Sequence, residues 1–148
     1  MFLFPTGPRM EGDNMEIRTS LEESQNTALS HWLRLARRQP PLSREREREL
    51  LRWARNDERW AVEELVDANL MLVANVACGY DTSSLDPMDL IAQGSVALIS
   101  ACRRYRAERD GDFRRYCLRR ISQSVEDAVM DSKDASELQL KSVVASTS

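Results

Sequence analysis

Eight arginines fall between Ala101 and Arg120: Arg103, Arg104, Arg106, Arg109, Arg114, Arg115, Arg119 and Arg120. Three acids, Glu108, Asp110 and Asp112, oppose them, leaving a local charge of +5 in a chain whose net charge is −3. Tyr105, Phe113 and Tyr116 stand among these arginines. Guanidinium groups bind phosphates, and aromatic rings stack on unpaired bases at about 1–3 kcal/mol per base. This stretch is therefore the candidate for nucleic-acid chemistry. Each ring also falls on an apolar stripe, where core packing is the competing role, and each arginine has a solvated helix face as its plain alternative. Lys133 and Lys141 are the only lysines. A GC-rich genome produces the same bias, so arginine usage alone is not a signal.

Catalysis has little to build on. His31 is the only histidine, and there is no G-x-x-x-x-G-K-S/T, G-x-G-x-x-G or G-x-S-x-G. Acids are numerous, but none stands in the apolar setting that tunes a carboxyl for acid–base work. Cys78, Cys102 and Cys117 are widely spaced and form no C-x-x-C. That argues against a structural zinc site and for buried thiols in a reducing cytosol. No apolar run approaches the roughly 20 residues of a membrane span. The opening Met1-Phe2-Leu3-Phe4-Pro5 lacks the charged start of a signal peptide. The expectation is a cytoplasmic protein that is not an enzyme, carries no cofactor or metal and does not enter a membrane.

The elements that position the arginines are helices, and the expected fold is a single all-α domain of five main helices. Residues 1–26 lack periodicity and are expected to form a flexible leader. Leu29, Trp32, Leu33 and Ala36 give Thr27–Arg38 one apolar face, and Pro40-Pro41 ends that helix. Ser43 is the expected N-cap of the next helix, whose R-E-R-E-R run reads as a solvated face because its charges interleave. Asn56-Asp57 breaks the chain, with Asp57 the expected cap of the central helix. Leu65, Ala68, Leu72 and Val76 mark that central helix, which reaches Tyr80 and is apolar nearly all round between Leu70 and Ala77. After the polar Asp81–Ser84, Asp86 and Pro87 have the types that start a helix, with Asp89 at its positive end. Leu90, Ile91, Gly94, Leu98, Ala101 and Cys102 form its inner stripe. Gly94 marks the close approach of a neighbouring backbone, since a mid-helix glycine costs up to about 1 kcal/mol. Asp110-Gly111-Asp112 turns the chain into a last helix from Phe113 to Met130, and residues 131–148 are expected to form a frayed tail.

The two central stretches resemble the second conserved region of the sigma-70 family of bacterial transcription factors. The likeness rests on Leu65-Val66-Asp67-Ala68-Asn69-Leu70 and, after a short loop, Asp89-Leu90-Ile91-Ala92-Gln93-Gly94. Pro41-Leu42-Ser43-Arg44-Glu45 resembles the family's lead-in to that region. Phe113, Tyr116, Ile121 and Gln123 match its last segment without gaps. The family's adjacent tryptophans there are replaced by Arg119 and Arg120. Ala92, Gln93 and Ser95 stand where the family usually has Gln, Glu and Asn. The resemblance covers roughly Ala28 to Met130 and includes no fourth region, the family's helix-turn-helix.

The resemblance implies a protein that binds core RNA polymerase, through a coiled coil of its largest subunit, and contacts promoter DNA around the melted element. Asp89, Gln93, Ser95 and Ile99 are the implied polymerase-binding residues. Phe113, Arg115, Tyr116, Arg119, Arg120 and Gln123 are the implied DNA-binding residues, with Tyr116 as base platform. The substituted tryptophan pair puts melting by the usual means in question more than DNA binding. A polymerase-binding competitor, or one half of a split sigma factor, is the alternative. A separate chain that reads the upstream element and an anti-sigma factor stay open as further partners.

Overall fold

Ser43 and Asp86 cap the helices that the sequence assigns to them. The Arg46 amide donates to Ser43 Oγ at 3.1 Å, and the Met88 amide donates to Asp86 Oδ1 at 3.0 Å. Each bond satisfies one of the free N–H groups at a helix start. The computed structural model describes residues 27–80 and 85–146. The expected leader over residues 1–26 and the loop Asp81–Ser84 lie outside the described residues. Seven helices and no strand form among those described: α1 (Thr27–Arg38), α2 (Arg44–Arg55), α3 (Arg59–Ala68), α4 (Leu70–Ala77), α5 (Pro87–Arg104), α6 (Ala107–Asp110) and α7 (Phe113–Ser146). The fold is all-α, and no described helix is long and apolar enough to cross a membrane.

α5 is the hub. It packs against α1, α2, α3, α4 and α7. Leu90, Ile91, Leu98, Ala101 and Cys102 turn inward from it to meet Leu33, Leu50, Leu65, Val73, Ile121 and Val125 in one core. Leu72 and Leu98, the expected core leucines of the central helices, are both buried there. Gly94 lies where two neighbours converge on α5. A Cβ at this position would meet Val73 Cγ1 of α4 at 2.9 Å and Ile121 Cγ2 of α7 at 3.3 Å. The close neighbours are side chains from two helices and not the backbone expected there, because the branched Val73 and Ile121 fill the space that a side chain on α5 would take. Cys78, Cys102 and Cys117 are free and buried. The neighbouring Cys102 and burial push the Cys117 thiol up, so it stays protonated.

Five boundaries differ from expectation: the central helix ends at Ala77, capped by Cys78, and not at Tyr80, and four others have local reasons. Asp57 does not cap α3, which starts after Glu58. Asp57 instead takes the left-handed conformation, φ 63°, that closes α2. The Asp57 amide donates to Ala54 O and the Glu58 amide to Trp53 O, the paired bonds of a Schellman stop. The central helix is split at Asn69. Its side-chain Nδ2 donates to Leu65 O at 2.7 Å, and its own amide turns to Val66 O. The side chain thus takes the carbonyl that the backbone would have used. The short α6 precedes the Gly111 turn, and its start is closed by the Arg106 amide on Asp110 Oδ2 at 2.9 Å. Finally, α7 runs past Met130 to Ser146. Residues 131–146 contain no glycine or proline to stop it, and nearly all of them are exposed.

Two ion pairs brace this frame. Arg46 of α2 forks onto Glu64 of α3, Nε to Oε2 and Nη2 to Oε1, both at 2.8 Å. The solvated face expected of the R-E-R-E-R run therefore includes a tie between helices. Arg55 at the end of α2 reaches Glu108 of α6 at 2.9 Å.

Candidate functional site

The arginine-rich stretch is built from the C-terminus of α5 through α6 into α7. Tyr105 closes α5, and its hydroxyl donates to the Gly111 carbonyl. Its ring meets Phe113 edge-on at 5.1 Å and Tyr116 at 5.5 Å. All three rings are buried, Phe113 at 4% and Tyr116 at 6% exposure. A base platform needs an open face, so these two aromatics do not offer the stacking surface that the resemblance implies. They form the floor under the arginines instead. The Arg119 guanidinium carbon lies 5.7 Å from the centroid of the Tyr116 ring, a cation–π contact from the solvent side.

The arginines divide by what they touch. Arg106 donates to the carbonyls of Tyr105 and Arg103, and Arg109 to that of Arg104, so both satisfy the open end of α5. Arg109 also pairs with Asp110 at 2.9 Å and holds that carboxyl below its usual range. Arg115, Arg119 and Arg120 are exposed and make no ion pair among the described residues. Arg115, Arg119 and Gln123 follow at intervals of four along one outer line of α7. Arg120 stands about 100° round the helix from Arg119. Gln123 Nε2 donates to Asp127 Oδ1 at 3.1 Å.

The second candidate surface is the outward face of α5. Asp89 and Gln93 are exposed there, and Ile99 is 38% exposed. Ser95 is half-buried on the flank, off the line of the other three. Val96 lies between Gln93 and Ile99 and is 66% exposed, the most open large apolar residue on α5. Its signal in the sequence was an apolar residue on the face opposite the inner stripe. Beyond Ile99 a shallow groove of about 320 Å³ opens between α3 and α5, lined by Arg59, Val62, Glu63, Val66, Asp67, Ile99 and Arg103. Burial and the nearby Glu63 raise the Asp67 carboxyl above its usual range. The two surfaces are mechanically joined, since Ser124 Oγ of α7 donates to the Gln93 carbonyl of α5 at 3.3 Å.

The described residues thus form an all-helical domain with Asp89, Gln93, Val96 and Ile99 on the outward face of its hub helix and arginines on its last. The family model for Sigma-70 region 2 matches residues 65–134. Residues 65–134 of the chain carry that region. The chain is 31% identical over 93 residues to the RNA polymerase sigma factor RpoS of Coxiella burnetii, a match covering 63% of this chain and 26% of that protein. It is 29% identical over 110 residues to RpoH of Caulobacter vibrioides, covering 74% and 37%. Against SigA of Clostridium acetobutylicum the identity is 33% over 92 residues, covering 62% and 24%. The chain thus spans about a quarter to just over a third of the length of these curated relatives.

Proposed function

We propose that this chain associates with bacterial core RNA polymerase through the outward face of α5 and contacts opened promoter DNA through the arginine line of α7. It acts in transcription initiation without catalysing a reaction of its own. The relatives are named RNA polymerase sigma factors. The observation that carries the reading is the exposed row Asp89, Gln93, Val96 and Ile99 on the helix that packs against α1, α2, α3, α4 and α7. A helix anchored on one side by the whole core and apolar again on the other is a rigid docking edge. Arg115, Arg119 and Arg120 supply phosphate ligands from the adjoining helix, and Gln123 adds a side-chain amide beside them. Ser95, half-buried, contributes at the rim only.

The second reading, a polymerase-binding competitor without promoter activity, is favoured by one specific observation. Arg119 and Arg120 stand where the resemblance expects tryptophans, and Phe113 and Tyr116 are buried. The arginine line therefore has cations but no open ring beside it. Co-purification with core polymerase, followed by binding of the complex to fork-junction DNA, separates the two. Both readings require the first step; only the first requires the second. Failure to bind core polymerase removes both.

A further inference from the structure

Trp53 near the end of α2 and Trp60 near the start of α3 face one another across the turn, with ring centroids 5.9 Å apart and planes tilted by 50°. They are 43% and 45% exposed. The whole chain has three tryptophans, so two of them lie on one surface spot. Tryptophan is among the residues most enriched at the energetic centres of protein interfaces. The pair is held in place before any partner arrives. Asp57 fixes the turn at φ 63°, the Glu58 amide bonds Trp53 O, and the Ala61 amide bonds Glu58 O. Rigid aromatics lose little freedom on binding.

The charge around the pair says what fits it. From Glu49 to Asp67 the chain carries six acids against three arginines, and Arg46, just before this stretch, pairs with Glu49 and Glu64. Glu49 precedes Trp53 by one helical turn, and Glu63 and Asp67 follow Trp60 on the outer face of α3. Arg59 pairs with Glu63, while Asp67 keeps no ion pair among the described residues. Negative surface of this kind repels phosphate backbones and anionic lipid. It attracts cations, which also bind the faces of tryptophan rings.

We propose that the Trp53–Trp60 pair is a docking site for a basic amphipathic helix of a partner protein. The apolar residues of that helix pack on the two rings, and its lysines or arginines face Glu49, Glu63 and Asp67. The site uses none of Asp89, Gln93 or Val96, and its acids Glu63 and Asp67 share a groove with Ile99 of the α5 face. The test is isothermal titration of the full chain with a leucine–lysine amphipathic peptide, its leucine–glutamate counterpart and a thymidine oligonucleotide. The leucine–lysine peptide is expected to bind saturably and the other two not at all. Trp53→Ala with Trp60→Ala should weaken binding at least about tenfold, the loss of an interface anchor. Trp60→Tyr should restore most of it, and Glu63→Lys with Asp67→Lys should abolish it, all with unchanged circular dichroism. The proposal is overturned if the double tryptophan variant binds the basic peptide like the parent. It is overturned equally if the acidic peptide or the oligonucleotide binds as well. Sedimentation that shows a dimer lost on Trp60→Ala would assign the pair to self-association instead.

Discussion

A methyl group placed on Gly94 would sit 2.9 Å from Val73 Cγ1, closer than two carbon atoms can pack. Two opposing effects meet at this position. Alanine is the better helix former by up to about 1 kcal/mol. Forcing a methyl into a filled core costs typically about 1–3 kcal/mol. Val73 is itself fully buried, and Ile121 and Val125 close the other sides, so it has little room to give. Gly94→Ala is therefore expected to lower the melting temperature. Adding Val73→Ala should recover part of that loss, a positive coupling in a double-mutant cycle. A stabilised single variant, or strict additivity, would show that the contact is slack.

Leu72 tests the core from the other side. It is buried in α4, and Leu→Ala at such a site typically costs about 2–5 kcal/mol. Thermal unfolding of Leu72→Ala should shift markedly below that of the parent. The solvent-facing Arg48→Ala should stay within about 0.5 kcal/mol of it. Equal shifts for the two would mean that the apolar stripe does not carry the fold.

On the α5 face, Asp89→Arg is expected to prevent co-purification with core polymerase while the chain stays helical. The change also loses an acid from the positive end of α5, which typically costs about 0.3–1 kcal/mol. Loss of binding from unfolding is therefore excluded if the melting temperature moves only slightly. Val96→Asp should act in the same direction by charging the exposed apolar residue between Gln93 and Ile99. If both variants bind core polymerase as the parent does, the docking edge lies elsewhere.

Which of these features the sequence disclosed depends on how local their causes are. The stripes of α1, α5 and the first part of α7 are periodic in the chain itself, and the caps Ser43 and Asp86 act on amides two or three residues away. Such features are legible because the interacting groups are near neighbours. The break at Asn69 is also local, but one side-chain bond decides it within an otherwise helical pattern. Pairings such as Arg46 with Glu64 depend on how two helices cross, which no spacing reveals. The same limit applied at the arginine site. Tyr116 and Phe113 sit on an apolar stripe, and only the packing of Tyr105 against both establishes that their rings face inward. The exposure of Val96 and of the Trp53–Trp60 pair likewise required the neighbouring helices.

Acid titration should resolve two carboxyls of opposite behaviour. Burial, with Asp112 nearby, raises Glu47, while the Arg46 fork lowers Glu64. A carboxyl raised on folding binds more protons in the folded state, so its contribution to stability falls as pH rises through that window. A lowered carboxyl gives stability above its unfolded pKa and loses it as pH falls through the folded one. Glu47→Gln is thus expected to raise the melting temperature at neutral pH, and Glu64→Gln to lower it. The Glu47 difference should vanish as pH falls to the ordinary carboxyl range of about 4, whereas the Glu64 difference should persist there and disappear only at lower pH, through its lowered folded-state pKa. Melting curves at the two pH values check the signs, and a Glu47→Gln chain less stable at neutral pH would reverse the assignment for that residue.

The arginine line gives the last prediction, read in the salt dependence of DNA binding by the polymerase complex. Each phosphate contact removed from single-stranded DNA should lower the slope of log K against log salt by about 0.7. Arg115, Arg119 and Arg120 are exposed cations of α7, so Arg119→Ala with Arg120→Ala should reduce both affinity and slope on fork-junction DNA. Tyr116 behaves differently because its ring is buried beneath Arg119. Tyr116→Ala should act through the fold, at the roughly 3–5 kcal/mol typical of losing a buried aromatic ring. Tyr116→Phe keeps the ring and should leave both affinity and slope unchanged. Fork-junction binding across a salt series, paired with melting curves, separates these cases. If removing Arg119 and Arg120 alters neither affinity nor slope, the arginine face is only solvated. The chain would then act at the polymerase as a competitor for the docking edge, with no DNA contact of its own from α7.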